Sequence, residues 1–144
     1  MQLSLNLPLS KTVLADGSIE LTAGEGRFLF RRVRPGTLLV RISGQDSGQF
    51  GHAALDEIRM EITRQGTLEL LIDASEAVLV TTEVSQEWTR FFSLNRQQLR
   101  RVSVLTGSRL MHLTVAIAQH LSQTGNLIQI YSDRELFDAV SAGS

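Results

Sequence analysis

Four short stretches hold the residue types best suited to chemistry: Ser43-Gly-Gln-Asp-Ser47, Asp73-Ala-Ser-Glu76, Thr106-Gly-Ser-Arg109 and Ser132-Asp133. Each mixes small hydroxyls with glycine, acid or arginine just before a segment of helical pattern, where free backbone N–H groups can bind an anion. Asp73, Ser75, Thr106, Gly107, Ser108 and Arg109 are therefore the candidates for an anion or small ligand. The same residue types are ordinary helix caps, and capping is the favoured reading. The histidines are His52, His112 and His120, and none stands three or four residues from another, so no metal-ligand spacing exists. Glu83 and Glu87 are four apart near a helix start, where the helix dipole accounts for acids without catalysis. No Gly-x-Ser-x-Gly, no Gly-x-Gly-x-x-Gly after a strand and no serine with an obvious histidine partner is found. No catalytic residue and no cofactor is assigned.

Charge and composition exclude further classes. Net charge is −1 with both signs interspersed, which removes the field that drives sequence-independent phosphate binding, so nucleic acid is not an expected partner. The absence of cysteine removes disulfides, thiolate nucleophiles and zinc–sulfur or iron–sulfur sites. Of the basic residues only Lys11 is lysine, and it lies in the N-terminal stretch; a phosphate-loop or Schiff-base lysine, and the lysine that completes a phospho-acceptor aspartate site, are missing where they would be needed. Met1-Gln-Leu-Ser-Leu-Asn-Leu-Pro8 has neither a basic leader nor a long apolar core, and no apolar run is long enough to span a bilayer. A cytoplasmic, soluble protein is expected.

The elements that must position these residues are legible in the hydrophobic pattern. Strands are predicted at Thr37 to Ile42, Leu68 to Asp73, Val102 to Leu105 and Leu127 to Tyr131, each followed by apolar residues at helical spacing. Asp46 is predicted to cap the first helix with Gln49 three residues on; Phe50, Ala54, Leu55, Ile58 and Ile62 form its inner face, and Gly66 stops it. The second carries Val84, Trp88, Phe91 and Phe92, with Trp88 read as a core anchor. The third, Leu110 to Leu121, is apolar around most of its circumference and is predicted to be the central helix, buried on two sides. The last opens on Ser132-Asp-Arg-Glu135, read as a capping box with Tyr131 packing on Leu136.

Residues 1–36 have a different texture. Ser18-Ile-Glu-Leu-Thr22 and Phe28-Leu-Phe-Arg-Arg-Val33, separated by Gly24-Glu-Gly26, predict an antiparallel hairpin at the sheet edge, with Arg31, Arg32 and Arg34 discouraging edge-to-edge pairing. The expected product is α/β: a mostly parallel sheet of four β-α units preceded by an N-terminal antiparallel β-hairpin. At 144 residues one domain spanning 1–144 is expected, a size that buries about 70% of the unfolded surface.

A hairpin followed by four strand–helix units, with Leu70-Leu-Ile-Asp-Ala-Ser75 in the middle, resembles the STAS-like (SpoIIAA-like) family, which includes the anti-sigma-factor antagonists. The resemblance covers most of the chain from about residue 27. Glu87-Trp-Thr-Arg-Phe-Phe92, Arg101-Val-Ser-Val-Leu105 and Tyr131-Ser-Asp-Arg-Glu-Leu-Phe137 look like its divergent bacterial members. In the antagonists an Asp-Ser-Ser-Gly-Leu motif at the start of the second helix carries a regulatory phosphoserine. Here Thr81-Thr-Glu-Val-Ser85 stands at that place, so the resemblance implies Thr82 as the phospho-switch position and Thr81, Thr82, Glu83 and Ser85 as partner-docking positions. The glycine and the serine pair are gone, and an ordinary helix cap is the favoured reading of the two threonines. The resemblance implies a non-enzymatic regulatory or protein-interaction module, binding a protein partner or a second copy of itself. The alternative is a module of the same fold that binds a small molecule or lipid in an apolar pocket beside Trp88, Phe91 and Phe92.

Overall fold

The computed structural model describes residues 8–143; the leader reading of residues 1–7 lies outside the described residues. A single seven-stranded sheet runs in sequence order: β1 Ser10–Val13, β2 Ile19–Ala23, β3 Gly26–Arg34, β4 Thr37–Asp46, β5 Leu68–Val80, β6 Leu99–Thr106 and β7 Ile128–Tyr131. Helices α1 Ala53–Gln65, α2 Thr82–Leu94 and α3 Arg109–Ser122 connect the parallel strands, and α4 Arg134–Ser141 closes the described chain. The sheet is mixed rather than mostly parallel. β1 to β4 form an antiparallel meander, and only β4 to β7 pair in parallel. The expected hairpin is β2–β3, turning at Gly24-Glu25, and β1 adds a short exposed strand outside it.

Strand order fixes the layers. Successive parallel strands lie side by side in one direction, so right-handed crossovers place α1, α2 and α3 on the same face. That face holds the main core: Phe28, Val40, Leu70, Ile72, Val102 and Val104 from the strands meet Ile58 of α1, Phe91 and Phe92 of α2 and Met111 of α3. Phe28 anchors an aromatic cluster, edge-on to Phe50 at 4.8 Å and stacked with Trp88 at 6.4 Å between centroids. On the opposite face, α4 covers a smaller cluster in which Phe137 packs on Leu39, Leu71 and Leu105.

Several boundaries move for local reasons. Asp46 does not cap α1; it ends β4, paired with Val80, and its Oδ1 accepts from the Gly48 amide at 3.0 Å. Gly48 and Gly51 then take positive φ, which holds the chain out of helix until Ala53. β5 does not stop at Asp73 but continues to Val80 along the far half of β4, with the register shifting past Asp73. At α4 the cap is Asp133 rather than Ser132, its Oδ1 accepting from the amides of Glu135 and Leu136. Tyr131 therefore meets Phe137, at 6.2 Å, while Leu136 points to solvent. Arg31, Arg32 and Arg34 lie on β3, inside the sheet, and not on its edge. Arg32 pairs with buried Glu61 of α1 at 2.6 Å, and Arg34 with Glu69 at 3.5 Å.

The largest departure is α3. It packs on β5, β6 and β7 and against α2, but it is not enclosed as a central helix would be: no described element covers its outer side, where Leu110, Leu113, Ile117 and Leu121 stay open to solvent.

Candidate functional site

Three of the four stretches predicted to hold chemistry meet beside Asp73, while Ser43-Gly-Gln-Asp-Ser47 runs on along β4 to the start of α2. The Asp73 side chain is almost fully buried, and Oδ1 accepts from the Ser75 hydroxyl at 2.6 Å and the Ser75 amide at 3.1 Å. Arg134 of α4 reaches Oδ2 at 3.0 Å and the Ser75 hydroxyl at 2.9 Å, and Arg41 approaches from β4 at 3.5 Å. Burial penalises the Asp73 charge, but the bonds from Ser75 and Arg134 outweigh it and hold its pKa below the ordinary carboxylate value. Arg134 and Arg41 were not singled out in the sequence, because the contact spans distant positions and only the sheet register brings them together.

On the neighbouring strand the remaining candidates are also engaged. Thr106 Oγ1 lies 3.4 Å from both the Tyr131 carbonyl and His112 Nδ1. The Ser108 hydroxyl caps α3, accepting from the Met111 amide at 3.1 Å. A Cβ on Gly107 would stand 2.1 Å from the Ser75 carbonyl oxygen, so glycine lets the start of α3 press against β5. Arg109 is exposed in the first turn of α3. The constellation fastens β5, β6, α3 and α4 to one another.

The docking positions implied by resemblance sit at the start of α2. Thr81 occupies the cap with extended backbone, but its hydroxyl makes no capping bond and is buried without a hydrogen-bond partner. Thr82 and Glu83 are exposed in the first turn, and Ser85 is half-buried one turn on. The surroundings are acidic. Burial raises the pKa of Asp46, and Glu87 adds to that rise; Glu87 in turn lies 3.4 Å from His52. A phosphate on Thr82 would gain from the helix N-terminus and lose from these acids.

Beside this corner, α2 and α3 run together, with the Ser93 hydroxyl donating to the Ser122 carbonyl at 2.7 Å. Between them lies a shallow apolar groove of about 70 Å³, lined by Val80, Trp88, Phe92, Met111 and Val115 among others. Ligand sites are usually several times larger, roughly 300–1,000 Å³. Phe91 and Phe92 are themselves buried in the core, and half-buried Trp88 packs against both. A packed aromatic cluster, not an enclosed cavity, stands there. Outside the groove, Leu110, Leu113, Ile117 and Leu121 of α3 are 54%, 58%, 50% and 58% exposed. Their spacing of three, four and four residues makes one continuous stripe. Leu94, 71% exposed at the end of α2, lies at the same end as Leu121. The signal was present in the sequence: from Leu110 to Ser132 there is no Asp, Glu, Lys or Arg.

Among the described residues no group of three or more His, Asp or Glu is placed to hold a metal, and no helix is long and apolar enough to cross a membrane.

The fold is similar to that of an uncharacterised protein of the DUF3478 family with a SpoIIAA-like fold from Shewanella loihica PV-4. The TM-score is 0.58 at 12% identity, over 80% of this chain and 92% of that one. The anti-sigma factor antagonist SpoIIAA in its unphosphorylated form aligns with a TM-score of 0.46 at 16% identity, over 80% of this chain and 96% of that one. No protein-family model and no curated protein matches the sequence. The chain thus has a SpoIIAA-like α/β fold, as the pattern of its strands and helices predicts.

Proposed function

We propose that this protein is a non-enzymatic regulatory module that acts by docking a polypeptide on its α2–α3 side. The observation that carries the reading is the aliphatic stripe of α3, continuous along the helix and open to water. Isolated exposed apolar residues are ordinary, but a contiguous patch on an otherwise polar surface marks an interaction site. The groove beside Trp88 and Phe92 extends that surface toward α2, and Thr82 stands near its start, where an added phosphate would change the docking surface by charge. The polar cluster at Asp73 supports the same reading from the other side: its acceptors and donors are spent on one another, as a structural fastening requires. A lipid or metabolite carrier would need more room than the groove provides.

The test is affinity capture with the wild-type chain, followed by rebinding of each captured protein, purified alone, to wild type, Ile117→Asp and Asp56→Arg. Asp56 is an exposed residue of α1 and serves as the control. Loss of binding in Ile117→Asp with retention in Asp56→Arg supports the docking face. A lipid or metabolite that co-purifies with all three chains, with no polypeptide rebinding, contradicts it.

A further inference from the structure

We infer that the occupant of the α3 face is a second copy of this chain, arranged as a symmetric dimer in which two α3 helices lie against each other. The inference rests on the docking role proposed above and names its partner. Charge is the deciding argument. In a two-fold interface each patch meets itself, so a charged patch either repels itself or must carry its own counter-charges. α3 carries neither: Leu110, Leu113, Ile117 and Leu121 are aliphatic, and no Asp, Glu, Lys or Arg occurs between Leu110 and Ser132. Different partners are commonly steered and selected by complementary charge, which this face does not offer. A lipid surface would favour basic residues around the apolar stripe, and the helix supplies only Arg109 at its first position.

A competing route, pairing at the β1 edge of the sheet, is poorly served. β1 is four residues long, fully exposed and carries Lys11, the kind of short charged edge that resists strand addition. Size sets the affinity. A helix of this length is about 21 Å long, so its stripe alone covers less than the roughly 800 Å² per partner of a standard interface. Leu94 at the end of α2 must contribute, and the dimer is expected to be weak, with Kd in the region of about 1–100 µM.

The experiment is sedimentation equilibrium on the wild-type chain from about 1 to 500 µM, spanning that range of affinity, with Ile117→Asp and Val13→Asp in parallel. Circular dichroism confirms that each variant is folded; both positions are exposed. The inference expects a wild-type dimer, retained in Val13→Asp and weakened about 100-fold or more in Ile117→Asp, since each substitution enters the interface twice. A wild-type chain that stays monomeric throughout overturns it, as does a dimer that survives Ile117→Asp. A monomer whose captured partners still require Ile117 leaves the docking role standing while removing the second copy as its occupant. A monomer whose captured partners ignore Ile117 removes both.

Discussion

The guanidinium of Arg134 reaches the buried carboxylate of Asp73 at 3.0 Å, joining the last helix to the middle of the parallel sheet across 61 positions of sequence. Among the described residues only Arg41, at 3.5 Å, also approaches Asp73 with positive charge. Arg134→Ala is therefore expected to lower stability by about 1–3 kcal/mol, the cost of leaving a buried acceptor short of a partner, read from urea unfolding at neutral pH. The loss also depends on pH. Because the folded-state pKa of Asp73 is depressed, its contribution is present above the ordinary carboxylate value and disappears as pH falls through the folded-state value. The gap between wild type and Arg134→Ala should shrink on acidification.

Asp46 has the opposite sign. Burial raises its pKa, Glu87 adds to the rise and the Gly48 amide opposes it, so the charged form is penalised in the folded protein at neutral pH. Wild-type stability from this group improves as pH falls through the raised value towards the unfolded one. Asp46→Asn keeps an oxygen for the Gly48 amide and removes the charge. It should raise the melting temperature at pH 7, with the gain vanishing below about pH 4, where the unfolded carboxyl is also protonated. A melting temperature lowered at pH 7 contradicts the assignment.

Gly107→Ala should cost about 1–3 kcal/mol, the usual range for overpacking. The added methyl meets the Ser75 carbonyl at 2.1 Å, and backbone must yield to admit it. Ser108→Ala, which removes only the α3 cap, should cost about 1 kcal/mol. Chemical denaturation of both variants checks the order, with Gly107→Ala expected to be the more harmful.

These contacts show what the sequence could and could not disclose. Periodicity located each helix and the core of each parallel strand, because burial of one face leaves a repeating signature in the residues themselves. It failed where geometry depends on a distant partner. β5 runs past Asp73 because β4 lies beside it, and Asp73-Ala-Ser-Glu76 has the composition of a loop. Asp46 has the type of a helix cap and instead ends β4, since pairing with Val80 claims its backbone. α3 is apolar around most of its circumference, and a helix like that is normally enclosed; that the sheet and α2 cover only part of it is a property of tertiary packing, which no local pattern states. At the Asp73 cluster, sequence pattern pointed to Asp73, Ser75, Thr106 and Gly107, and the fold added Arg41 and Arg134.

The aromatic cluster offers a check on the division between core and docking face. Phe28→Ala, at a fully buried position, should cost about 3–5 kcal/mol. Leu113→Ser, at a residue 58% exposed, should change monomer stability by less than about 0.5 kcal/mol. Thermal melts at low protein concentration separate the two.

The central claim is that the outer face of α3 is a docking surface, and site-specific photo-crosslinking tests it most directly. A photoreactive phenylalanine analogue placed at Ile117 should give a covalent adduct whose fragments map to α3 of a second copy, while the same group at Val13 on β1 should give none. Adducts from position 13 alone, or a chain that remains uncrosslinked at position 117 at all concentrations and with every captured protein, would contradict it.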